Sequence, residues 1–243
     1  EIFPNLLPAV TSMVQASNIK LIILTSLSLQ SASSLPLWRQ VCALDVTVFV
    51  PALYEGLIGH IDAEANLTLI PEEGLEILIS KKETLSLIPA HHLHEPASYS
   101  VFSPTLGALY SGSIGSSILN KKFSGDFFGL KFDQHISFVQ NYHERWFVSG
   151  EARDRWFNYI EGLNIKTLIP QRGPGFSDES VQQFLKWFHS FNFLKEIPSH
   201  KQNMHNSESI ALPKDNRSQI FSNHSSEKNQ KYRLVTRSDF DGI

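Results

Sequence analysis

The chain has 243 residues, 42% hydrophobic and 19% charged, a balance that supports one or two folded domains with a sizeable core. Its net charge of −3 leaves no positive field to draw in nucleic acid or an anionic membrane, so neither is expected as a partner. The lone cysteine, Cys42, excludes a disulfide framework and, set between Val41 and Ala43, reads as a buried thiol. No apolar run approaches the length of a spanning helix, and a cytoplasmic protein is expected. The start at Glu1 without Met, and an end at Ile243 inside what reads as a motif, lead to the expectation of a fragment of a longer protein.

Residues 1–17 are predicted to form an amphipathic helix with Leu6, Leu7, Val10 and Val14 on one stripe. The apolar run 19–25 predicts a strand covered on both faces. A Ser-rich loop over 26–34, a short helix over 35–42 and a second buried strand over 46–50 follow, an alternation that points to an α/β layered fold. Short strands are predicted at 67–70, 75–79 and 84–88, and a hairpin from 99–102 and 108–110 around Ser103-Pro104. Residues 111–129, rich in Gly and Ser, read as loop.

Helices return at 134–148 and 151–163, the second burying Trp156, Tyr159, Ile160 and Leu163. A buried strand over 165–169 leads to a last helix over 177–191. Its Ser177, Asp178 and Glu179 suit capping and the helix dipole, and Val181, Phe184, Leu185 and Phe188 form its apolar face. Residues 196–231 are rich in Ser, Asn, Lys and His without apolar periodicity, and read as a disordered polar linker. A new strand begins at 232–236.

Leu-Ile-Pro occurs at 69–71, 87–89 and 168–170, marking three buried strands that stop at a proline and deliver a loop to one rim, where sites of α/β folds gather. The rim loops after such strands carry Ser26-Leu27-Ser28-Leu29-Gln30, His91-His92-Leu93-His94-Glu95, Ser111-Gly112-Ser113 and Gln171-Arg172-Gly173. LPLWRQV at 35–41, LIPEEGLEI at 69–77, LIPAHHLHEP at 87–96, LYSGSIGSS at 109–117, NYHERW at 141–146 and LIPQRGP at 168–174 stand in one order along residues 2–191. As a set, they resemble the metallo-β-lactamase-fold domain of flavodiiron proteins, and more closely the stand-alone oxygen-binding diiron proteins. The resemblance implies an αβ/βα sandwich over 1–195, lacking its leading hairpin strands.

It also implies where metal would be held, and there the chain departs. The positions of the His-x-acid-x-Asp motif are Ser26, Ser28 and Gln30; that of the bridging aspartate is Ser113; that of the last histidine is Arg172; only His94 is retained. A dinuclear site needs several anionic or imidazole donors at roughly 2.0–2.2 Å and a carboxylate between its cations. Hydroxyls and an amide are poor substitutes, and Arg172 adds a fixed positive charge. A lost site, no catalytic residue and no cofactor in this chain are therefore expected.

His91, His92 and His94 form a dense imidazole cluster, read either as a metal site or as a rim satisfied by hydrogen bonds. His60 and His143 read as supporting or packing residues rather than ligands. Arg172 reads as an anion site or as one half of an ion pair that fills the hole. Phe127, Phe128, Trp146 and Trp156 read as core or interface rather than a flavin-stacking surface.

Residues 232–243, with Asp239 and Asp241 in an Asp-x-Asp-Gly loop at a strand end, resemble the first motif of DHH-type phosphoesterases near the exopolyphosphatase-like members. There the two aspartates would be manganese ligands, once the rest of that domain is present. The expected function is a non-catalytic regulatory, docking or dimerisation module fused to a phosphoesterase. The alternative is a small-anion or phosphate-ester sensor built on the former metal pocket, and an active metallohydrolase or diiron oxidoreductase ranks third. A homodimer is expected, because the diiron relatives pair head-to-tail.

Overall fold

The structure, a computed structural model, describes residues 3–119 and 125–193, without the side chains of residues 30 and 31. Helix α1 (Phe3–Thr11) buries no residue, and Phe3 meets Trp38 edge-on at 4.9 Å. Strands β1 (Leu21–Ile23), β2 (Thr47–Pro51) and β3 (Leu67–Ile70) form a parallel sheet in chain order. Parallel neighbours require crossovers, and these are α2 (Leu29–Ala32), α3 (Leu35–Val41) and α4 (Glu55–Ile61). On the central strand, Val48 and Val50 alternate inward and pack with Leu24, Leu35, Tyr54 and Ile58.

The second sheet is built from β4 (Leu75–Ser80), β5 (Glu83–Pro89), β6 (Tyr99–Ser103) and β7 (Ala108–Gly112), each antiparallel to the last. Helices α5 (Phe132–Trp146) and α6 (Gly150–Ile160) then carry the chain across to β8 (Thr167–Pro170), parallel to β7. A two-residue strand, β9 (Phe176–Ser177), and α7 (Glu179–Ser190) follow. Alternation along β5 sorts the layers. Ile88 packs with Leu109, Leu168, Val139, Trp156 and Phe184, joining this sheet to α5–α7. Leu87 packs with Tyr99, Val101, Ile70, Ile23 and Phe49, joining the two sheets face to face. Helices outside and sheets inside make the expected αβ/βα sandwich.

Several local expectations are corrected. Strand β1 lies at a sheet edge, so its three residues are only half-buried rather than covered on both faces. Residues 29–32 of the Ser-rich loop are helical. Helix α4 gave no apolar period, having Gly56 and Gly59 inside it, and β9 is too short to show a pattern. Tyr159 is half exposed, since it lies off the stripe that buries Trp156 and Ile160. Asp178 does not cap α7. At φ 51° its side chain makes no cap, and the Ser180 hydroxyl instead accepts from Ser177 N at 2.9 Å and donates to Ser177 O at 2.7 Å. Among the described residues no helix is long and apolar enough to cross a membrane. The linker over 196–231 and the segment 232–243, with Asp239 and Asp241, lie outside the described residues.

Candidate functional site

The loops after β1, β5 and β7 converge at one rim. Thr25, Ser26, His94, Ser111, Gly112 and Ser113 are among the residues that line a cavity of about 10 Å³, room for a single water. Three of the six positions compared above with metal ligands, Ser26, His94 and Ser113, thus meet. Ser28 and Arg172 are not among the lining residues, and the side chain of Gln30 is outside the description.

Tyr142 on α5 links the cavity to Arg172. Burial pushes its phenol pKa up; a hydrogen bond with the Ser113 side chain and the Arg172 charge pull it down, and the Glu95 charge pushes it up again. Charges of both signs therefore gather about one phenol next to the cavity wall. Glu95 Oε2 accepts from Leu27 N at 3.0 Å, tying the loop after β1 to that after β5, while Oε1 lies 3.6 Å from His94 Nδ1. The His94 ring lies parallel to Tyr142 at 6.2 Å and 5.2 Å from Trp146. Two of the pocket serines are committed to backbone: Ser98 Oγ donates to Ala90 O and Ser111 Oγ to Ile114 O, both at 2.6 Å.

The histidine cluster does not converge. His91 accepts from Ser98 N at Nδ1, 3.2 Å, which leaves Nε2 to donate to Glu72 O at 2.8 Å. His92 takes a left-handed backbone (φ 63°) and is exposed, so the turn it makes carries the chain away before His94 reaches the cavity. Of the other histidines, His60 is exposed in the last turn of α4. His143 is fully buried: Nδ1 donates to Val139 O at 2.8 Å, Nε2 accepts from Gly115 N at 3.2 Å, and Phe147 stacks on it at 4.4 Å. Burial pushes its pKa down to about 3.

The residue that sequence reasoning missed is His135, also fully buried, with Nε2 2.8 Å from Ser117 Oγ and its ring on Phe176 at 4.9 Å. Burial pushes its pKa down to about 4. The available signal was the spacing of His135, Val139 and His143, four apart on one side of a helix. Of the four aromatics weighed above, Trp156 is core and donates from Nε1 to Ser100 Oγ at 3.1 Å, while Trp146 and Phe127 are exposed.

Among the described residues, no three of His, Cys, Asp and Glu stand together to hold a metal ion. The hydroxyls of Thr25, Ser26, Ser98, Ser111 and Ser113 and the His94 imidazole about a one-water cavity do not fit a pair of irons, which needs anionic donors between and around the cations.

The fold is shared with solved proteins. The apo state of the chemotaxis sensor ODP from T. denticola is 23% identical, with a TM-score of 0.71 over 78% of this chain and 77% of that one. A peroxy diiron species of chemotaxis sensor ODP is 22% identical, with a TM-score of 0.70 over 79% of each. A mutant flavo di-iron protein from Thermotoga maritima is 18% identical, with a TM-score of 0.65 over 75% of this chain and only 45% of its own. No curated protein matches the sequence. These relatives overturn the expectation that the chain has no cofactor, because the structures it resembles include ones named as diiron proteins. The family model "ODP family beta lactamase" matches residues 1–173, and the chain accordingly belongs to the ODP family of beta-lactamase-fold proteins.

Proposed function

We propose that this domain is a regulatory and docking module whose dinuclear site is lost, which pairs with a second copy. In this reading residues 196–231 join it to a phosphoesterase domain that begins near Tyr232, with Asp239 and Asp241 in its first motif. One observation carries the reading: the former ligand positions that meet, Ser26, His94 and Ser113, enclose a cavity for one water and bring no carboxylate to it. The name of the ODP relatives, chemotaxis sensors, supports signalling over catalysis. Exposed Trp146, Phe127 and Ile118 near the site supply apolar area for a second copy. Anaerobic loading with ferrous iron, desalting and elemental analysis test the lost site. The expected result is well below two irons per chain, and two retained irons would overturn the reading.

A second reading, a small-anion or phosphate-ester sensor, is favoured by Arg172, whose charge acts on Tyr142 beside Ser113. Phosphate would have to displace the walls of a one-water cavity, so this reading stands behind the first. Millimolar phosphate that raises Tm in the wild type but not in Arg172→Ala would establish it, and equal stabilisation would remove it.

A further inference from the structure

We infer that α5 is the positioning element of the site: Tyr142, His143 and His135 hold alternate residues of the loop after β7 and so place the cavity wall. Tyr142 bonds the Ser113 side chain, His143 Nε2 accepts from Gly115 N at 3.2 Å, and His135 Nε2 lies 2.8 Å from Ser117 Oγ. His135 and Tyr142 are seven residues apart, two turns along one helix face and roughly 10 Å in rise, which a loop of five residues can follow. The hold continues to the neighbouring loop. Ser117 N donates to Arg172 O at 3.0 Å, and Gly173 (φ 79°) sits so close that a Cβ there would collide with Ser117 Oγ.

Packing alone does not account for these imidazoles. Burying a polar ring costs stability unless it is hydrogen-bonded, and a leucine would fill the same apolar space. Among the described residues His135 Nδ1 has no partner, so the bond to Ser117 is what its polar ring contributes. In His143, the proton on Nδ1 is fixed by Val139 O, which leaves Nε2 as the acceptor that Gly115 N–H requires. Neither histidine lines the cavity; both act through the loop that does. The inference rests on α5 alone, so the outcome of the iron and phosphate tests above does not decide it.

The test is NMR on the full chain, reading the exchange of the Gly115 amide and the imidazole signal of His94, with exposed His60 and His92 as internal references. In His143→Leu, Gly115 exchange rises about tenfold, the size of one net hydrogen bond, and the His94 signal shifts while the references stay. His143→Gln, whose side-chain oxygen can accept, restores Gly115 protection. Ser117→Ala, a small change at the other end of the loop, shifts His94 as well. In a cycle with His135→Leu, its stability effect is non-additive. Unchanged Gly115 exchange in His143→Leu would overturn the inference. If that variant does not fold, an unmoved His94 signal in Ser117→Ala does the same.

Discussion

Acidification from pH 7 to pH 5 should remove about 4 kcal/mol of stability through two buried histidines. In the unfolded chain, His135 and His143 titrate near the ordinary imidazole value of 6.5, whereas burial holds them at about 4 and about 3 in the fold. Their folded values are depressed, so the unfolded chain takes up protons first. Stability is complete above pH 6.5, declines as pH falls below it, and stops declining at the folded values. At pH 5, each group sits about 1.5 units below its unfolded value and costs about 2 kcal/mol at 1.36 kcal/mol per unit. Two of them amount to a large share of the roughly 5–15 kcal/mol that holds a typical domain together.

Urea denaturation followed by tryptophan fluorescence at pH 7, 6 and 5 measures this directly. All other groups are common to the variants, so the quantity read is the loss between pH 7 and pH 5. His135→Gln and His143→Gln each lower that loss by about 2 kcal/mol, and the double variant by about 4 kcal/mol. Parallel pH dependences in wild type and double variant would refute the reasoning. They would mean that the rings are protonated in the fold or hydrated in it.

Trp156→Phe should cost roughly 2–3 kcal/mol by thermal or chemical denaturation, because it leaves a gap in the core and orphans the fully buried Ser100 hydroxyl. A cost below about 1 kcal/mol would show that Ser100 finds another partner. Gly173→Ala should destabilise more than Gly162→Ala. Both have φ near 80° and pay for a strained backbone, but only at Gly173 does the new methyl meet Ser117, while Gly162 faces open space. Equal costs would show that the Ser117 loop moves freely, against the hold that α5 exerts on it.

Much of the fold can be read along the chain because it follows from period and punctuation. Apolar runs at β2 and β8, short runs from β4 to β7 set between Pro, Gly and charged turns, and the stripes of α6 and α7 each need only a few consecutive residues to declare themselves. That residue 26 is Ser rather than His, and that residues 28, 30 and 113 are Ser, Gln and Ser rather than carboxylates, was likewise a matter of residue identity, and Ser26, His94 and Ser113 do meet where the rim loops converge. Helix α4, interrupted by Gly56 and Gly59, and the two-residue β9 offered no period, and tertiary packing and sheet pairing decided them.

The three neighbouring histidines had the same composition signal as a metal site, yet one left-handed residue, His92, separates them. The tie from Glu95 to Leu27 spans 68 residues, and those from His143 to Gly115 and His135 to Ser117 span 28 and 18. Bonds of that kind leave no trace in local spacing. They form only when packed layers bring distant loops within about 3 Å, so the contents of the pocket were written in the chain while the frame that holds it came from the folded whole.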